Sequence, residues 1–220
     1  QMNAMTNPTL APYAKEGECE LRVTAKAPTD GEAQALLRPT VEQVKALFGP
    51  KVYGVDVPSL EYVVLEGLKE KGLTLGTAES ITGGLIAKRL TDVPGASAAF
   101  QGGVVSYTNE VKAQLLQVPQ TLLDQFGAVS REVAAAMAQG ARKALGCDIA
   151  LASTGVAGPD RDGRGNEVGT AFVAIAAGDQ TYVRPLRLGP RPMRERIRTQ
   201  VASHAFDLAR RYLAGLPFED

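Results

Sequence analysis

The sequence predicts an α/β protein, a three-layer α/β/α sandwich with a mixed sheet, preceded by a small α+β domain. Three observations carry this. Beyond residue 58 the apolar period switches repeatedly between that of a helix and that of a strand. Two late strands are separated only by Ala177-Gly178-Asp179, which makes them an antiparallel hairpin within the sheet. A β-α-β-sized segment comes before Val57-Pro58-Ser59, which reads as a joint. The domains are therefore expected at 1–57 and 58–220.

In the first segment, residues 18–27 alternate apolar Leu21, Val23 and Ala25 with polar neighbours, as a half-buried strand does. Thr29 and Asp30 can cap a helix that runs to Phe48, interrupted at Pro39. Gly49-Pro50 stops that helix, and 51–55 reads as a second strand. A unit of this size buries too little surface to be very stable alone. The second segment opens with a helix over 59–71 and a strand over 73–78. A helix follows Ser80, then come a strand over 102–107, helical stretches over 109–145, and strands at 148–153, 168–176 and 180–188. The last helix covers 192–213, with Met193, Ile197, Val201, Ala205, Leu208 and Tyr212 as its buried stripe.

The 220 residues suffice for a large domain and a small one, and a 45% hydrophobic fraction supports a sizeable core. The 24 basic residues balance 24 acidic ones, which argues against a protein that coats nucleic acid or an anionic membrane. Cys19 and Cys147 are far apart and belong to no metal-binding cluster, so neither a disulfide framework nor a metal site is expected. Cys147 opens an apolar run and reads as a small buried thiol. The single histidine, His204, follows the apolar spacing of the last helix and reads as a core or boundary residue. No run of about 18 apolar residues and no signal peptide is visible, so a soluble, cytoplasmic protein is expected.

Four segments fall at strand ends, where α/β folds place their ligands. The first is Thr77-Ala-Glu-Ser-Ile-Thr-Gly-Gly84, where strand leads into helix. A serine there can point its hydroxyl outward near free N–H groups, or it can simply cap the helix, as can Thr82. The second is Gly102-Gly-Val-Val-Ser-Tyr-Thr-Asn-Glu-Val-Lys112, with Tyr107 and Lys112 on either side of a helix start at Asn109. Taken alone, Lys112 is a solvated surface lysine. The third is Ser153-Thr-Gly-Val-Ala-Gly-Pro-Asp160, whose small residues let backbone N–H groups face an anion. It is neither a Walker loop nor a dinucleotide fingerprint. It continues into Arg161-Asp-Gly-Arg-Gly165, a charged stretch able to close over a ligand or to remain a plain surface loop. The fourth, Gly189-Pro-Arg-Pro-Met-Arg-Glu-Arg196, opens the last helix, and Arg191, Arg194, Arg196 and Arg198 offer forked donors suited to phosphate.

In this order and combination, Ala-Glu-Ser-x-Thr-Gly-Gly and Ser/Thr-Gly-x-Ala-Gly-Pro resemble the C-terminal domain of the CinA competence-damage family, over roughly residues 60–213. Asn7-Pro-Thr-Leu-Ala-Pro12 and Leu21-Arg-Val-Thr-Ala-Lys26 resemble its small KH-type domain. Residues 1–57 hold no G-x-x-G loop, so nucleic-acid binding is not expected of it. The family's large N-terminal domain, similar to molybdopterin-binding proteins and linked to ADP-ribose pyrophosphatase activity, has no counterpart in these residues. The resemblance implies an α/β/α sandwich, a homodimer, and hydrolysis of the carboxamide of nicotinamide mononucleotide to nicotinate mononucleotide and ammonia, a step of pyridine nucleotide salvage. It needs neither metal nor cofactor. It implies Ser80 as nucleophile, with Tyr107 and Lys112 beside it and Thr154 near the reacting amide. The implied substrate-binding set is Glu79, Thr82, Gly83, Thr154, Gly155, Ala157, Gly158 and Arg194.

The chemistry agrees with that expectation. An aromatic amide resists water, and a covalent acyl-enzyme splits one hard step into two. Without a suitable histidine, serine needs another base, and a Ser–Lys pair is an established variant. Backbone N–H groups from Gly155 to Gly158 can hold the developing oxyanion. Two alternatives stand beside this reading: a non-catalytic nucleotide-binding or competence-related module, and an amidase for a different amide.

Overall fold

The computed structural model describes residues 5–189 and 193–219, and the chain divides into two compact units, residues 1–55 and 56–220. In the first unit β1 (Thr9–Lys15) pairs antiparallel with β2 (Glu18–Thr24) around Glu16-Gly17. The helix α1 (Asp30–Phe48) follows, capped by Thr29, whose hydroxyl accepts from the Glu32 N–H at 3.3 Å. The sequence reading requires two corrections here. Residues 51–55 form no strand, because Gly49–Lys51 is a single 3₁₀ turn and the chain then runs irregularly. The partner of β2 is instead β1, whose Pro12 hides it from pattern reading, although proline is tolerated on an edge strand. Nor does Pro39 interrupt α1. The bond it removes would have gone to the carbonyl of Ala35, an exposed residue, and a proline in mid-helix bends the chain without having to end it.

The second unit is a three-layer α/β/α sandwich on a five-stranded mixed sheet. Its strands are β3 (Leu75–Glu79), β4 (Phe100–Val105), β5 (Ile149–Gly155), β6 (Thr170–Ala177) and β7 (Gln180–Arg187), in the order β4-β3-β5-β6-β7. β4, β3 and β5 run parallel, whereas β5-β6 and β6-β7 are antiparallel, the latter pair being the expected hairpin. The parallel strands end together at one edge, where β3 hands over to the turn before α3 (Leu85–Thr91) and β4 to α4 (Asn109–Leu116).

One face of the sheet packs against α4, α5 (Gln120–Phe126) and α6 (Arg131–Leu145), through a core that includes Ala78, Leu116, Leu123, Val133, Met137, Ala141 and Ala152. The helices α2 (Leu60–Lys71), α3 and α7 (Arg194–Leu213) cover the other face. Ile197, Val201, Ala205 and Leu208 are buried in α7 as their spacing predicts. Tyr212 is only partly buried, and Met193 is 74% exposed, because it stands at the N-cap, before the helical period begins. Arg191 and Pro192 lie outside the described residues. Among the described residues, no helix is long and apolar enough to cross a membrane.

The position of α4 depends on a glycine. Gly140, in the middle of α6, faces the last turn of α4 so closely that a Cβ there would overlap the backbone carbonyl of Leu116. Glycine costs roughly 1 kcal/mol of helix propensity relative to alanine, so its place in α6 is explained by this approach.

Candidate active site

β3 is continued past Glu79 by one more ladder bond, from the Ser80 N–H to the Ser153 carbonyl at 2.9 Å. The chain then turns sharply, with the Gly83 N–H donating to the Ser80 carbonyl at 3.2 Å. Gly83 and Gly84 take φ of +59° and +93°, a region that side chains disfavour. The helix α3 begins only at Leu85, and Gly84 at its cap offers no side chain. Neither Ser80 nor Thr82 caps the helix.

Glu79 does that work. Its carboxylate accepts from the N–H groups of Ile86 at 2.9 Å and Ala87 at 2.8 Å, a negative charge held at the positive end of α3. The Thr82 hydroxyl donates to the same carboxylate at 2.7 Å and lies 2.7 Å from the Ser153 hydroxyl. Glu79 and Thr82 are 1% and 0% exposed. The side chains of Glu79 and Thr82 are both engaged inside the fold, where they shape the turn that presents Ser80.

The Ser80 side chain points to the opposite face of the sheet, toward α4. There Lys112 Nζ donates to Ser80 Oγ at 3.2 Å, to the Ser106 carbonyl at 2.8 Å and more weakly to the Tyr107 carbonyl at 3.5 Å. Lys112 occupies the position on α4 where an apolar residue would face the core, one turn before Leu116, and is 1% exposed. It is not the solvated lysine that its local sequence suggests. Burial pushes its pKa down to about 8, against the weaker opposing pull of Glu110. The helix carrying it starts at Thr108, whose hydroxyl accepts from the Val111 N–H at 3.4 Å.

Arg194 closes the other side. Its guanidinium donates to the Gly158 carbonyl at 2.6 Å and to the Tyr107 phenol oxygen at 3.0 Å. One turn further along α7, Arg198 donates to the Thr82 carbonyl at 2.7 Å. A Cβ on Gly83 would lie 3.3 Å from Arg198. Two arginines from the start of α7 thus border the turn and loop around Ser80. Arg194 and Tyr107 are both exposed, Tyr107 at 60%. The arrangement supplies a hydroxyl nucleophile, a desolvated amine to take its proton, and cationic forks nearby for an anionic group.

Residues 58–213 match the family model described as the CinA C-terminal domain, and residues 1–54 match that of the damage-inducible protein CinA KH domain. The chain belongs to the CinA family. A CinA-like protein of Desulfovibrio desulfuricans is 47% identical over 214 residues, covering 97% of this chain and 50% of its own length. One from Frankia casuarinae is 50% identical over 212 residues, covering 96% and 48%. The chain therefore spans about half the length of these relatives. Among solved structures, the competence/damage-inducible protein of Agrobacterium tumefaciens is 37% identical with a TM-score of 0.65, covering 68% of this chain and 90% of that one. A CinA superfamily protein of Klebsiella pneumoniae is 31% identical with a TM-score of 0.68, covering 71% and 96%.

In this CinA domain the remaining expected site residues divide. Thr154 is buried and spends its hydroxyl hydrogen on the Ala128 carbonyl at 2.6 Å, so it has no proton left to donate. Gly155 is confined: a Cβ would lie 2.6 Å from the Ala171 Cβ and 2.7 Å from Ile81 Cδ1. The Val156 N–H is committed to the Thr170 carbonyl across the sheet at 2.8 Å. In an antiparallel ladder successive N–H groups alternate in direction, so the Gly155 N–H turns toward the Ser80 side. Ala157 is buried and Gly158 lends its carbonyl to Arg194.

The charged stretch 161–165 is anchored rather than free, with Arg164 donating to the carbonyls of Leu123, Asp124 and Gln125 at the end of α5. His204 is partly buried on α7, and burial pushes its pKa below the usual value, as suits a neutral structural imidazole. Burial likewise pushes the Cys147 thiol up. The residue that sequence reasoning passed over is Ser106, fully buried beside Lys112. The period-two alternation of β4 is the signal that could have placed it.

Proposed function

We propose that this chain hydrolyses the carboxamide of nicotinamide mononucleotide to nicotinate mononucleotide and ammonia, through an acyl-enzyme on Ser80. The observation that carries the reading is the 3.2 Å contact between Lys112 Nζ and Ser80 Oγ, made by a lysine whose pKa burial has lowered to about 8. At that pKa about one lysine in ten is neutral at pH 7, against fewer than one in a thousand at an unperturbed value. Neutral Lys112 takes the Ser80 proton as Oγ attacks the carboxamide carbon. The resulting ammonium then gives that proton to the departing amine, which leaves as ammonia. A water molecule next attacks the ester, gives its proton to Lys112, and Ser80 Oγ leaves and is reprotonated. The Gly155 N–H, which turns toward the Ser80 side, is a donor for the developing oxyanion.

Arg194 and Arg198 supply the charge that a nucleotide phosphate needs, and Tyr107 holds Arg194 in place. The identity of the amide rests on family membership together with these cations. The test is ammonia release from nicotinamide mononucleotide, nicotinamide riboside and free nicotinamide. Turnover of the mononucleotide with little of the other two is expected. Equal turnover of all three removes the phosphate role, and no ammonia from any of them removes the activity.

A further inference from the structure

Among the described residues, Ser106 Oγ is the fully buried side-chain oxygen that has no hydrogen-bond partner. Its surroundings make this unusual. The register of β3 against β4 aligns Glu79 with Val105 and that against β5 aligns Glu79 with Ser153, so one step on Ser80 is flanked by Ser106 and Thr154. The Ser106 N–H donates to the Glu79 carbonyl at 2.9 Å, which holds that register at the strand end. Alternation along each strand puts all three hydroxyls on the face that carries Ala78, Val104 and Ala152, the face covered by α4 and α6.

Two of these hydroxyls are engaged, Ser80 by Lys112 and Thr154 by Ala128. Ser106 gives its carbonyl to Lys112 at 2.8 Å but leaves its hydroxyl unused. A buried hydroxyl without a partner is disfavoured, and an alanine would fill the same space without that cost.

We propose that Ser106 positions the water that releases the acyl group from Ser80. The inference rests on the acyl-enzyme reading above. Once Ser80 is acylated, its oxygen no longer has a proton to give, and Lys112 must act on water instead. Ser106 Oγ accepts a hydrogen bond from one hydrogen of that water while the other faces Lys112 Nζ. The water oxygen attacks the acyl carbon and its proton passes to neutral Lys112. The bond from that carbon to Ser80 Oγ then breaks, the proton returns from Lys112 to Ser80, and the free acid departs. The first half-reaction needs no such water, so Ser106 acts on the second half alone.

The experiment separates the halves by offering the acyl-enzyme a second nucleophile. Wild-type chain and Ser106→Ala are given nicotinamide mononucleotide with hydroxylamine, and the ratio of hydroxamate to acid is measured against an enzyme-free control. That ratio is set after the acyl-enzyme forms, so it does not depend on which step limits turnover. Ser106→Ala is expected to raise it about tenfold and to melt no lower. An unchanged ratio overturns the proposal. Ser106→Cys, which puts a slightly larger and more weakly hydrogen-bonding group at the same position, should give an intermediate ratio, and carries the test if the alanine variant does not fold. Hydroxamate from the wild type with no change in either variant defeats this inference alone. No hydroxamate from a wild type that does release ammonia defeats the acyl-enzyme itself.

Discussion

Arg194 and Tyr107 meet at 3.0 Å between guanidinium and phenol oxygen although 87 positions separate them in the chain. Arg194 opens α7, and Tyr107 lies just past the end of β4, where the Ser106 and Tyr107 carbonyls receive Lys112. The contact ties the cation expected to hold the phosphate to the segment that holds the base.

Arg194→Ala should therefore raise KM for nicotinamide mononucleotide by about 10- to 100-fold. That is the loss of roughly 1.5–3 kcal/mol of charge-assisted hydrogen bonding. Tyr107→Phe, which removes only the oxygen that orients Arg194, should raise KM a few-fold and leave kcat nearly intact. Steady-state kinetics on both variants check this. A large fall in kcat for Tyr107→Phe would place the phenol in the chemistry instead.

Glu79→Ala should destabilise the domain by about 2–4 kcal/mol, because two α3 N–H groups and the Thr82 hydroxyl lose their buried partner at once. Denaturant unfolding measures it. A change within about 0.5 kcal/mol would show that the carboxylate is not what holds the turn.

The fold was readable in the chain because its signals are local. The hairpin turn at Ala177-Gly178-Asp179, the stripe of α7 and the switching period each act over a few residues. The site was readable only as separate segments. Nothing local to Lys112 announces its burial, which depends on α4 packing closely on α6, where Gly140, twenty-eight positions beyond Lys112, faces Leu116. For the same reason the internal partners of Glu79 and Thr82, in the first turn of α3 and on β5, are invisible in the local sequence. Pro12 breaks the alternation that would reveal β1, and the helical period of α7 does not reach back past its cap to Met193.

Gly140→Ala gives a prediction whose sign differs from helix propensity. Propensity alone would make it stabilising by roughly 1 kcal/mol. The added methyl would collide with the Leu116 carbonyl, which as backbone cannot swing aside. Overpacking should make it destabilising by about 1–3 kcal/mol, and the displacement of α4 should lower kcat through Lys112. A more stable, fully active variant would contradict the packing.

Because the amine must be neutral to accept a proton, kcat/KM should climb about tenfold per pH unit below 8 and level off above it. The same shift acts on stability. The folded pKa lies below the unfolded one, so between about pH 8 and 10 the unfolded chain binds more protons and stability rises with pH. Relative to Lys112→Met, the wild type should gain on the order of 2 kcal/mol across that interval. A difference independent of pH would mean that Lys112 is not depressed.

Initial rates of ammonia release from nicotinamide mononucleotide by Ser80→Ala, Lys112→Ala and the double variant test the pairing most directly. Each single substitution should lower kcat by about a thousandfold or more with binding largely kept, and the double should be scarcely worse, because the two side chains act as one unit. Lys112→Arg should not rescue, since a guanidinium stays protonated. A Lys112→Ala chain with near-normal kcat would contradict the Ser–Lys mechanism.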